Sequence, residues 1–517
     1  ESACGWLGTL SLSYVHSFAM FTPLALGCYF FNLSIAVLGL GIVALILISV
    51  IVLIRQKAWK SLAWHCEFIE LLGVSIILVD LVLAARTGGR LSGDAMYHIA
   101  RTRMILDHGA NNWEPFYYPH HFAYIYHSNL YHALLAAIAA ASRIDVLDVW
   151  QDTLLWAKLI TASGIYYLGW SVFRTKSCGW LSTILYIMWW GHENFQLVPN
   201  KIAPVWLLSM AIALTLRCIR DHAPRDLITL ACVCLILPQF HIMYSLFYSV
   251  LVAPVLLIDV LLNRWSTKRW SLFLCLAFGT SFFSVPFLVV SKYVGASSET
   301  AYSALKEHSS HSPAKRSVSI ARKPRPKRSQ SMSWVINVGK NYIMLNPARY
   351  LTPYTWMGWL APLFILGLVT PHRRSVFIVM MIMLSACLIM FVPAICTMFI
   401  EVTKVRAWVI RRYAFVHVIG FIGIAPGVMI SLFGKWSERW SVLFLLTMVC
   451  VVLGLHHGQW PQAHAKISWK DYVDRATLPQ VVRSSALLLL KAKRQFLLQH
   501  IPPGQTVVTS KSLAPEF

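Results

Sequence analysis

Residues 33–54 read LSIAVLGLGIVALILISVIVLI, and Arg55, Lys57 and Lys60 follow at once. A run of this length without a charged side chain satisfies its backbone polar groups inside a bilayer as a single helix. The basic residues behind it are those a membrane segment collects on its cytoplasmic side. This pairing of apolar run and basic loop decides the fold class, and the chain repeats it.

Of 517 residues, 57% are hydrophobic and 13% charged, against about 25% charged in soluble domains. No soluble domain covers that much apolar surface, so lipid is the expected solvent. Further apolar runs fall at 9–29, 66–85, 151–173, 177–192, 201–218, 226–240, 243–262, 270–292, 352–370, 374–396, 412–433 and 440–456. The expected fold is therefore all-α and polytopic, with about thirteen transmembrane helices in a membrane domain over 1–456.

Charge supports this count. Arg174 and Lys176 follow the fourth run, Arg217, Arg220 and Arg225 the sixth, and Arg264, Lys268 and Arg269 the eighth. Arg373 and Arg374 follow the tenth, Lys435 and Arg439 the twelfth. Every even-numbered loop is basic, which places the N-terminus inside and 457–517 outside. The long segments 86–150 and 293–351 are then outer loops. Within the second, the Ser-, Pro- and Arg-rich stretch 309–331 lacks the composition to bury a core and is expected to be mobile. In the third, 472–500 reads as amphipathic helix. Ile501-Pro502-Pro503-Gly504 then turns into a short β-like run, the start of a small α/β segment that the chain is expected not to complete.

The net charge of +24 lies in loops between apolar runs, which suits anionic lipid head groups rather than nucleic acid. The cysteines sit mostly inside apolar runs, with no metal-binding spacing and no disulfide framework, and read as small hydrophobes. No internal repeat is evident.

The chemistry concentrates in the first outer loop. Gly93-Asp94-Ala95-Met96-Tyr97-His98-Ile99-Ala100-Arg101 predicts a helix over 94–106, and Asp94, His98 and Arg101, at steps of four and three, share one face of it. A carboxylate there serves as general base or metal ligand, with His98 supporting it, and a guanidinium binds phosphate. The same residues also suit a plain helix start, with Asp94 as its cap. Tyr117-Tyr118-Pro119-His120-His121, Tyr124, Tyr126, His127, Tyr131 and His132 follow. These histidines show no zinc spacing, and interfacial aromatic packing is the competing reading. Residues 128–142 are expected to lie along the membrane surface.

Taken in order, an outward span, Gly-Asp-x-x-Tyr-His-x-x-Arg, a Tyr-Pro and Leu130-Tyr131-His132-Ala133-Leu134-Leu135 resemble the GT-C class of membrane glycosyltransferases. Protein O-mannosyltransferases and lipid A aminoarabinose transferases belong to that class. Asn346-Pro347 with Tyr350-Leu351 and Pro353, Arg411-Arg412-Tyr413, and Ile501-Pro502-Pro503-Gly504 are similar to later landmarks of it. The resemblance implies a polyprenyl-phosphate sugar donor, membrane lipids as surroundings, and an acceptor that is a glycan, lipid or protein. It implies Asp94 and Glu193 as catalytic acids, with Glu193 in the next outer loop. Tyr97, His98, Arg101, His121, Arg411 and Arg412 would bind substrate, the last two at the donor phosphate. It leaves open whether a divalent metal ion takes part, and it implies a bacterial inner membrane with the site facing outward. Two features depart from the class: more spans precede the acid-bearing loop than the single one typical, and the 309–331 insertion has no counterpart. A transporter or flippase is the rival reading, supported by Asp80 and Glu70 within the third apolar run.

Overall fold

The computed structural model describes residues 4–31, 33–55, 67–87, 93–109, 130–189, 198–221, 223–263, 335–339, 341–347, 361–403 and 407–432. The expected spans at 270–292 and 440–456, the basic stretch 309–331 and the C-terminal segment 457–517 lie outside them.

The first elements are α1 (Gly5–Phe30), α2 (Ile35–Arg55), α3 (Phe68–Thr87), α4 (Gly93–His108), α5 (Leu130–Ser142), α6 (Val146–Phe173) and α7 (Lys176–Trp189). Next come α8 (Pro199–Ile202), a π-helical turn (Ala203–Leu208) and α9 (Ser209–Asp221), one after another without a gap, then α10 (Pro224–Asn263). After β1 (Val335–Val338) and β2 (Tyr342–Leu345) follow α11 (Ala361–Val369), α12 (Arg373–Phe391) and α13 (Pro393–Thr403). A 3-10 segment (Ala407–Tyr413) then leads into α14 (Ala414–Leu432).

Helix α6 is the axis of the bundle. Its sequence is apolar on nearly every side, and α1, α3, α7, α9 and α14 all pack against it. Asp145 starts it by accepting the backbone N–H of Leu147 at 2.8 Å, a side-chain cap for an otherwise orphaned donor. Arg174 ends it in the left-handed conformation, φ 58°, and the chain turns at once into α7. Close helix approach depends on small residues: a Cβ at Gly164 would stand 2.9 Å from the Trp206 indole. Trp206 lies in the π-helical turn, where Pro204 supplies no N–H to a regular ladder.

Outward faces are apolar and several inward groups are polar, the reverse of a soluble protein. Leu40, Ile46, Leu47, Ile51 and Ile54 on α2 and Leu78, Val79 and Val82 on α3 are exposed, whereas Glu70, Asp80 and Lys158 are buried. Among the described residues five helices are long and apolar enough to cross a membrane. The chain is a helical membrane protein.

One of those five counts as a single helix only by composition. Within α10, His241 is extended, with φ −165° and ψ 106°. Near its start, Asp226 pairs with Arg217 at 3.0 Å. Near its finish, Asp259 pairs with Arg374, beside Ser375, which accepts a 2.9 Å hydrogen bond from Arg220. Both ends of α10 therefore meet the same end of the bundle, and the chain folds back at His241, as the separate runs 226–240 and 243–262 predict. The expected span 374–396 is corrected. It breaks at Val392, φ −91° and ψ 110°, because the Pro393 ring disfavours helical backbone in the residue before it. Helix α13 begins there.

Two further features qualify the expectations. Helix α5, expected along the membrane surface, is covered by α2 and α4, and most of its residues are buried. Within the segment 293–351, residues 335–345 form an antiparallel hairpin, Val335 opposite Leu345 and Val338 opposite Tyr342. Gly339 turns it at φ +67°, and the Ile343 N–H donates to Thr397 Oγ1 at 2.9 Å, fixing it to α13.

Candidate functional site

The two ends of the bundle differ in chemistry. At one end, residues of the basic even-numbered loops meet carboxylates. Arg174 pairs with Asp221, Arg220 with Asp221 at 3.0 Å, Arg217 with Asp226 at 3.0 Å, and Lys176 with Glu70 at 3.4 Å. That these loops converge is what the alternating charge pattern requires.

The opposite end gathers imidazoles and guanidiniums from four elements. Helix α4 forms over the expected residues, and its spacing puts His98 and Arg101 on the buried side, 2% and 0% exposed. His98 Nδ1 lies 2.9 Å from His132 Nε2 of α5, and the rings stack with centroids 5.1 Å apart. Trp150, in the second turn of α6, closes the far face of His98, nearly parallel at 6.1 Å. Tyr97 meets His98 edge-on. The extended residue of α10, His241, faces the 3-10 segment, where Arg412 Nη1 donates to its Nε2 at 3.0 Å. Since a guanidinium only donates, His241 carries its proton on Nδ1. Tyr244, one turn on, meets His241 edge-on and leads to Phe415, above which Lys201 places its ammonium at 5.4 Å.

Burial governs the protonation of this cluster. It holds His98 down to about 3, and the nearby Arg412 charge adds to the effect. His132 is held well below the ordinary imidazole range, first by burial and then by the fields of His98 and Arg101. Both rings are neutral at pH 7, and burial raises the Tyr131 phenol above its usual range. The partly exposed Arg412 guanidinium thus stands beside a neutral ring, an arrangement that favours an incoming anion.

Of the residues singled out in the sequence, Tyr97, His98 and Arg101 share α4, and the charge of Arg412 reaches His98. Arg411 is the neighbour of Arg412 in the same 3-10 turn, and its charge reaches Tyr244. Asp94 lies in the first turn of α4, one turn before His98, and its side chain lies outside the described residues, as do His121 and Glu193. Among the described residues no group of three or more His, Cys, Asp or Glu comes together to hold a metal.

Two participants escape the sequence reading. One is His241, a single histidine inside an apolar stretch where the helix must break. The other is Lys158, whose ammonium donates to both oxygens of Asp80 at 2.8 and 3.0 Å, with the side chains 3% and 7% exposed. A lone lysine in the apolar run 151–173 is the signal that could have found it, because such a charge needs a partner. Asp80, which the sequence offered as support for transport, is thus a member of a buried ion pair. Comparison with known protein families and with curated proteins finds no match for this chain, so the site is judged on its own geometry.

Proposed function

We propose that the protein transfers a sugar from a polyprenyl-phosphate donor to an acceptor at the end of the bundle that holds Arg412 and the histidine cluster. The observation that supports the reading is that Arg412 bonds His241 while its charge reaches His98 on α4, two motifs remote in sequence that the resemblance assigns to one centre. The acceptor hydroxyl or amine would give its proton to Asp94 as it attacks the anomeric carbon. The bond from that carbon to the phosphate oxygen breaks, and the electron pair stays on the leaving phosphate. Arg412, with Arg411 beside it, opposes the charge that grows there. Glu193 is the second acid in this scheme, and the outer face of a bacterial inner membrane is its setting.

Membranes containing the chain, supplied with a panel of labelled polyprenyl-phosphate sugars, test this directly. Transfer or donor hydrolysis that disappears in a normally inserted Asp94→Asn protein is the expected result. Transfer that survives the change removes Asp94 from the site while keeping the class.

A second reading, ion-coupled transport, draws on the Asp80–Lys158 pair, since buried charges inside a bundle often mark a transported ion's path. Counterflow of a lipid-linked sugar in proteoliposomes, lost in an Asp80→Asn, Lys158→Met double variant, would favour it.

A further inference from the structure

We infer that the seam between α12 and α14 binds one soft monovalent metal ion, copper(I), between the thiolate of Cys387 and the imidazole of His417, with the Met383 thioether beside them. The inference is independent of the glycosyl-transfer reading and uses none of its residues.

Packing makes this site, since Cys387 sits in one apolar run and His417 in another. Helices α12 and α14 pack together, and Cys387 Sγ stands 3.0 Å from His417 Nε2. Met383 precedes Cys387 by one turn, so both sulfurs leave α12 on the same face. Met383 also reaches across the seam. A Cβ at Gly420, three residues after His417, would stand 2.6 Å from Met383 Sδ, and the bare glycine admits the sulfur. The His417 ring further hydrogen-bonds the backbone of Tyr413, one turn before it, and of Met383. Backbone bonds of this kind hold a metal-ligating imidazole in orientation. His417 is buried, whereas Met383 and Cys387 are half-buried beside the exposed Leu384 and Leu388, so the sulfurs border lipid.

The donors and their surroundings select the ion. Thiolate and thioether are soft ligands and favour copper(I). Among the described residues no further His, Cys, Asp or Glu joins the pair, so the hard donors that suit magnesium or calcium are missing from the described set. Charge decides between copper(I) and zinc. The ion takes the place of the thiol proton: the S–H bond breaks, bonds from the metal to Sγ and Nε2 form, and the proton leaves to the buffer. Copper remains Cu(I), so no electron is exchanged. One positive charge replaces another, and the seam stays as neutral as before. A zinc ion in the same place leaves one positive charge uncompensated against apolar surroundings, which is costly. At 3.0 Å the two donor atoms are in hydrogen-bond contact. The ion parts them, and the unbranched Met383 side chain adapts to the new spacing. Cys387 lies four residues before the end of α12 and His417 in the first turn of α14. The ion therefore enters about 6 Å from the helix ends.

The test adds copper(I) alone, without oxygen, to the full chain in lipid nanodiscs against a coloured copper(I) chelator. One ion per chain should resist the chelator, and zinc in about hundredfold excess should fail to displace it. X-ray absorption of the bound copper should show nitrogen and sulfur together in its first shell. Mass spectrometry after alkylation should find Cys387, alone of the eleven cysteines, protected by the ion. Cys387→Ser keeps a hydroxyl to donate to His417, and it and His417→Gln should each lose the ion while melting close to the parent. A first shell of sulfur alone overturns the inference, and this reading needs no variant. Copper held equally by both variants, or displaced by zinc, also overturns it. Sugar transfer is assayed separately on the metal-free chain, so failure of the copper site leaves that reading standing, and failure of transfer leaves the copper site standing.

Discussion

The two ends of the helical bundle settle their described cations differently. At one end Arg174, Arg217, Arg220, Lys176 and Arg374 meet Asp221, Asp226, Glu70 and Asp259. At the other, Arg103 also meets a carboxylate, Asp145 at 2.8 Å, but Arg412 bonds an imidazole, and two more imidazoles bond each other. Matched pairs hold helices in register and have little capacity left for a ligand. Arg412, partly exposed and bonded to a neutral ring, keeps more of that capacity, which makes this the end where chemistry is expected.

Breaking the matched end should have the largest effect on stability and none on transfer. Asp226→Ala leaves Arg217 buried under the Trp170 ring, 4.7 Å from its centroid, without its carboxylate. A stranded buried charge costs about 3–5 kcal/mol, visible as a lowered melting temperature in detergent. The surviving folded fraction should transfer sugar at the parent rate per molecule. A loss of rate with unchanged melting would reverse the roles of the two ends.

At the cluster end the expectation is the mirror image. Arg412→Gln removes a full charge from the presumed position of the leaving phosphate, and kcat should fall about a hundredfold, equivalent to about 2.7 kcal/mol. Its melting temperature should stay close to that of the parent, because Arg412 is partly exposed and its partner His241 keeps a hydrogen-bonding amide nearby. Unchanged turnover with a labelled donor would take the donor phosphate away from this residue.

Acid sharpens the contrast further. His98 has a folded-state value near 3 against about 6.5 in the unfolded chain. Between those values the unfolded chain binds more protons, so stability rises with pH across the window and is lost as pH falls through it. From pH 7 to pH 5 the ligand-free protein should lose about 2 kcal/mol, read from denaturation at both pH values. His98→Gln should remove the share of that slope due to His98 and leave the share of His132, and a slope unchanged in the variant would show that His98 does not contribute.

What the sequence could and could not say follows from where information is local. The runs 33–54, 66–85 and 151–173 became α2, α3 and α6 because uninterrupted apolar sequence with charged borders has one outcome in lipid. The spacing of His98 and Arg101 fixed their shared face, since helical geometry needs only near neighbours. The partners of that face are another matter: His132 lies 34 residues on, and Arg412 reaches His241 across 171. Lys158 finds Asp80 across 78. Such pairings are made by packing, and no local period encodes them. The break at Val392 was legible from Pro393 but was hidden inside an apolar run. The hairpin 335–345 was obscured by the polar sequence preceding it.

The smallest predicted effect probes the border of the matched end. Lys176 stands between Glu67 and Glu70, 3.4 Å from an oxygen of each, with 29% of its side chain exposed. Water competes for an ammonium so placed, and the long side chain gives up freedom to hold two contacts, so Lys176→Gln should cost no more than about 1 kcal/mol. Salt distinguishes this pair from the buried one. Raising ionic strength to about 1 M shortens the screening length to about 3 Å, which should erase the difference between parent and Lys176→Gln while leaving the Asp226→Ala deficit nearly intact. If salt reduced both equally, Arg217 and Asp226 would have to be as open to water as Lys176, and the matched end would be a solvated rim and not a clasp.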